Sequence, residues 1–138
     1  MSIFLKNMQT SLNIKEPGLN ILPPGVERYV VNAGGITGIQ IFPEDQIEII
    51  NNEGNQICEI NIFDKNGQSE LGILNLKESK KLSAIKKILL KKEESSLQAL
   101  LQLKKRNLQI EKATSSILFD KNTIAGEKVT LNAKDNCY

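Results

Sequence analysis

The stretch Glu53-Gly54-Asn55-Gln56-Ile57-Cys58-Glu59-Ile60-Asn61-Ile62-Phe63 joins a polar turn to an alternating segment, and its reading decides the fold. Gly54 and Asn55 accept the left-handed backbone of a tight turn. Beyond the turn, Gln56, Cys58, Ile60 and Ile62 fall on one face of an extended chain, with Glu59 and Asn61 on the other. Upstream, Gln46-Ile47-Glu48-Ile49-Ile50 alternates in the same way, Ile47 and Ile49 sharing a face. With Asn51-Asn52-Glu53-Gly54 between them, the two runs predict an antiparallel hairpin.

The same grammar extends outward. Pro23-Pro24-Gly25 is a stiff turn that launches Glu27-Arg28-Tyr29-Val30-Val31, Gly34-Gly35 precedes a strand over Gly38-Ile39-Gln40-Ile41-Phe42, and Pro43-Glu44-Asp45 turns the chain again. Asp64-Lys65-Asn66-Gly67 is a further turn, after which the period changes. Leu82, Ile85, Ile88 and Leu89 recur at spacings of three and four, predicting an amphipathic helix within residues 76–90. Glu93-Glu94-Ser95-Ser96 suits the start of a second helix, with Leu97, Leu100, Leu101 and Leu108 as its apolar stripe. Strands return at Ser116-Ile117-Leu118-Phe119 and around Val129, Leu131 and Ala133. Residues 1–22 read as an N-terminal arm or short edge element. Residues 23–138 then form a single β-rich domain with a helical insertion at about 76–110. The expected class is α+β: a small antiparallel β-barrel or sandwich with one or two helices inserted before the last strands.

Composition narrows the functions. The chain has 138 residues, 40% of them hydrophobic, with no Trp and no His, so its core is mainly aliphatic. Lack of His removes the usual general base near neutral pH and the commonest metal ligand. Two cysteines, Cys58 and Cys137, are too few and too distant for a disulfide framework or zinc cluster, and Cys137 reads as a small buried apolar group. No run is long and apolar enough to span a bilayer, and a cytoplasmic location is expected. The net charge is +2, but residues 77–112 hold eleven Lys or Arg against four Glu. Lys86, Lys87, Lys91 and Lys92 mark a basic helical surface, read either as a solvated face or as an interaction face. Nucleic acid is not the expected partner. Gln56, placed toward the interior at the turn end, is either a structural amide or a ligand contact, with Glu53 and Glu59 as further candidates. Glu59 is expected on the solvated face. Dinucleotide-loop, P-loop and nucleophile-elbow contexts are absent.

Three short motifs carry a resemblance. Glu53-Gly54-Asn55-Gln56-Ile57-Cys58-Glu59 has the form acidic-Gly-x-Gln-x-x-acidic, Pro23-Pro24-Gly25 is a proline-glycine opening, and the run from Ile124 to Asp135 carries Ala125-Gly126-Glu127 into a strand. In these the chain resembles the urea carboxylase-associated family over residues 21–63 and 115–138. The family's usual Asp is Glu59 here, the centre is Lys-rich, and the chain stops where a Cys- and His-bearing segment would begin. The resemblance implies an accessory or ligand-binding domain of a tetrahydrofolate-dependent aminomethyltransferase-like protein, not itself catalytic. Tetrahydrofolate would sit in a fused domain, with no cofactor in this segment. It also implies a fused or associated catalytic domain as partner, and a homo-oligomer is compatible with it. The alternatives are a subunit of an enzyme degrading urea or guanidine derivatives, and an interaction module using the Lys-rich face. The ending at Asn136-Cys137-Tyr138 reads as that of an excised piece or an N-terminal domain.

Overall fold

A computed structural model of the chain describes residues 1–6, 22–81, 84–90 and 93–138. Their elements run β1 (Ser2–Lys6), β2 (Val26–Val30), β3 (Gln46–Asn51), β4 (Cys58–Ile60), β5 (Lys80–Lys81), α1 (Ala84–Leu90), α2 (Glu94–Lys105), β6 (Thr114–Phe119) and β7 (Glu127–Asn132). All strand pairs are antiparallel and make two sheets, one in the order β2-β1-β3-β7, the other β4-β6-β5. The architecture is α+β, as the sequence predicts. Among the described residues there is no closed barrel. One apolar cluster draws on both sheets: Leu5, Ile47, Ile49 and Leu131 from the first meet Ile62 and Phe119 from and beside the second, giving a sandwich-like core. Each such side chain withdrawn from water contributes about 1.5–3 kcal/mol.

The alternation of β3 and β7 is realised as read. Ile47 and Ile49 are buried, and Leu131 lies on the same inner face. Five expectations change. Ser2–Lys6 is neither an arm nor an edge, since β1 pairs with β2 on one side and β3 on the other. Leu5 is buried in the core while Ile3 packs against it, so the first strand supplies part of the inner face. Residues 7–21, including the rest of the expected arm, lie outside the described residues. Of the strand expected over residues 38–42, Ile41 alone makes a bridge, to Cys137.

The expected hairpin around Gly54 is also replaced. Residues 52–57 carry the chain from β3 in the first sheet to β4 in the second, and β4 pairs with β6 instead of β3. Finally, the first helix is shorter than its periodicity suggests. Lys80 and Lys81 pair with Ser115 and Thr114 on β6, so α1 begins only at Ala84. In α2 the buried face is rotated from the expected stripe: Ser96 and Leu103 are buried, whereas Leu97 and Leu101 are exposed. Glu94 in its first turn and Lys104 and Lys105 in its last match the helix dipole.

Candidate functional site

The loop between the two sheets is built on Asn51, which has no exposed surface. Its side-chain Nδ2 donates to the Gln56 carbonyl at 3.0 Å, and its Oδ1 accepts from the Gly54 N–H at 3.1 Å. The Asn51 carbonyl accepts from the Gly126 N–H at 2.7 Å, and the Asn55 N–H donates to the Thr123 carbonyl at 2.7 Å. Gly54 has φ +74°, and a Cβ there would lie 2.6 Å from the Ala125 nitrogen. Only glycine satisfies both the left-handed backbone and that approach. The loop is thereby clamped against residues 123–126, and its polar side chains project from a rigid base.

These side chains border a shallow cleft of about 300 Å³ at one end of the first sheet. The start of the chain contributes Met1 and Ser2, β2 and the residues after it contribute Arg28 and residues 30–33, and the loop contributes Asn52, Glu53 and Gln56. Because β1 lies between β2 and β3, the ends of those two strands flank the same opening. Gln56 Nε2 donates to Glu53 Oε2 at 3.4 Å. Arg28 Nη2 donates to Ser2 Oγ at 3.4 Å, and the guanidinium sits 5.8 Å from the Phe4 ring centre. Two of the three ligand-binding candidates, Glu53 and Gln56, are therefore brought together, although Gln56 precedes β4 instead of lying within it.

Glu59 lies elsewhere. It faces Ile117 of β6 just after a register shift between Cys58 and Glu59, and both of its carboxylate oxygens are shielded from solvent. The expected solvated position is overturned because that irregularity breaks strict alternation. Asn61 Oδ1 is shielded too, and Ile62 and Phe63 are both buried in succession. Of the basic surface, Lys86 and Lys87 are exposed on α1, while Lys91 and Lys92 lie outside the described residues. Arg106, just past α2, stacks 4.3 Å from the Tyr138 ring centre.

Neither thiol is set up as a nucleophile. Burial pushes Cys58 up to about 11 despite the opposing pull of the N-terminal ammonium. Burial followed by the charges of Asp135 and Asp45 does the same for Cys137. Both are thus protonated and poorly nucleophilic at neutral pH. Among the described residues, no group of three Cys, Asp or Glu is arranged to hold a metal ion. No described helix is long and apolar enough to cross a membrane. What the cleft offers is a guanidinium, a carboxylate and amides around an opening with apolar valine walls, which is a vocabulary of binding. Arg28, Asn32 and Asn52 were not singled out by sequence. Arg28 sits in an ordinary strand run, and only the interior placement of β1 brings its strand end to the loop at residues 52–56.

No protein-family model matches the chain, and no solved structure matches it significantly. The urea carboxylase-associated motifs therefore gain no support from these comparisons. The chain is 34% identical over 121 residues to the trimethylamine-oxide aldolase of Ruegeria pomeroyi, a match covering 87% of this chain and 15% of that enzyme. It is thus a distant relative of one short stretch of a much longer enzyme of small-molecule metabolism.

Proposed function

We propose that the chain is an accessory, ligand-binding domain that works with a larger catalytic unit acting on a small methylated amine compound. The observation that carries this reading is the asymmetry of the match: nearly all of this chain corresponds to a minor part of the aldolase. The site points the same way. The cleft gathers a guanidinium, the Glu53 carboxylate and the Gln56 amide, groups suited to holding a polar ligand, and neither thiol lines it. The motif resemblance further favours a tetrahydrofolate-dependent aminomethyltransferase-like unit as the partner, with the folate held there.

A domain exchange tests the proposal. The Ruegeria pomeroyi aldolase lacking the matching stretch is expected to lose trimethylamine-oxide turnover, an aldolase carrying this chain in its place to keep a measurable fraction, and this chain alone to show none. Turnover by the isolated chain, or an exchange no more active than the deletion, would overturn it.

A further inference from the structure

The cleft has a chemical asymmetry that narrows what it can hold. Arg28 supplies one positive charge from β2, and Glu53 supplies one negative charge from the clamped loop. Among the described residues the two form no ion pair with each other or with another residue, whereas Lys128 and Glu48 on the same sheet pair at 3.6 Å. Arg28 spends one weak hydrogen bond on Ser2, leaving most of its five donors unused, and Glu53 accepts one from Gln56. The amides of Asn32, Asn52 and Gln56 add neutral donors and acceptors, and Val30 and Val31 present methyl groups at the rim.

From this arrangement we infer that the cleft binds a small zwitterion, its anionic end on Arg28 and its cationic, methyl-bearing end against Glu53 and the valine side chains. A ligand bearing only one charge would satisfy one group while meeting repulsion or an unmatched charge from the other. A small zwitterion offers a partner to both, and the cleft of about 300 Å³ lies at the lower end of small-molecule sites. The rigid base matters equally. Because Asn51 and Gly54 hold the loop, the backbone beneath Glu53 does not have to be ordered on binding, and less of the interaction free energy is lost to immobilisation. This rests on the ligand-binding part of the function proposed above and names its ligand class.

The test uses the isotopically labelled 138-residue chain in an NMR titration, with trimethylglycine as the probe and acetate and tetramethylammonium as single-charge controls. Saturable shifts confined to the amides of Ser2, Asn32, Asn52 and Gln56 are expected with trimethylglycine, with affinity at least tenfold above either control. Arg28→Gln and Glu53→Gln should each weaken that affinity at least tenfold. Both positions are exposed, so their spectra should remain those of the folded chain. Equal, non-saturating shifts from all three compounds, or full affinity in either variant, would overturn the inference. Since binding is read on the isolated chain and turnover on the exchanged enzyme, saturable binding without restored turnover sinks the accessory role alone. Restored turnover without binding sinks the zwitterion cleft alone.

Discussion

Asn51 shows how one side chain can set a functional surface it does not itself form. It has no solvent contact, and its amide spans the turn from Gly54 to Gln56. Removing it leaves the Gly54 N–H and the Gln56 carbonyl without that partner in a buried setting, a loss worth about 1–3 kcal/mol. Asn51→Ala is therefore expected to lower unfolding free energy by roughly that amount in urea titration, and to weaken ligand binding at the cleft as the loop loosens. Glu59 teaches the complementary lesson. Its neighbours alternate cleanly in sequence, yet a one-residue irregularity in the β4–β6 register carries its carboxylate out of solvent. Strict period-two counting has no means of seeing a bulge, because the extra residue is decided by the partner strand.

At the level of elements, the helical insertion was recognisable from its three-and-four spacing, but its inward face was not. In α2 several leucines compete for the core, and the one that wins is Leu103, while Leu97 and Leu101 remain 49% and 65% exposed. A leucine-rich helix carries more than one plausible apolar stripe, and its rotation is chosen by what it packs against. The consequence is measurable. Leu103→Ala should cost about 2–5 kcal/mol, as for other buried leucines, whereas Leu101→Ala should change stability by no more than about 0.5 kcal/mol. Similar losses at both positions, read from chemical denaturation, would mean that α2 is turned otherwise. The strand β5 makes a related point: two lysines that look helical in sequence are claimed by Ser115 and Thr114 of β6.

Across the whole molecule, the two sheets are tied together by the end of the chain. Ile41 exchanges both backbone hydrogen bonds with Cys137, at 2.9 and 3.0 Å, and Phe63 does so with Tyr138, both at 2.9 Å. The Cys137 thiol is buried in that seam, and Cys58 packs against the shared core. The upward shift of both thiols links their protonation to folding: the folded chain favours the neutral form more than the unfolded chain does. The resulting stabilisation is complete below the ordinary value of 9.0 and is lost as pH rises through about 11. Tyr29, raised from 10.0 to about 12 chiefly by its hydrogen bond to Glu27, adds a loss that begins within this window and continues above it. The urea midpoint should therefore fall between pH 9 and pH 11, and the fall should be shallower in a Cys58→Ala, Cys137→Ala double variant. An identical slope in that variant would show that the thiols are not the groups responsible.

The class of the fold, the inner faces of β3 and β7, the turn at residues 64–67, the presence of helices between the strands and the polar turn at residues 53–56 were all legible in the amino-acid order. Each of these follows from local periodicity or from backbone preferences acting over a few residues. Tertiary structure alone decided that Ser2–Lys6 is an interior strand, that the turn after Asn51 crosses between sheets, and that Arg28 shares a cleft with Glu53. Strand pairing joins residues distant in the chain, and its outcome depends on burying both sheets in one core. Local pattern can propose a strand, but only that shared burial selects its neighbours.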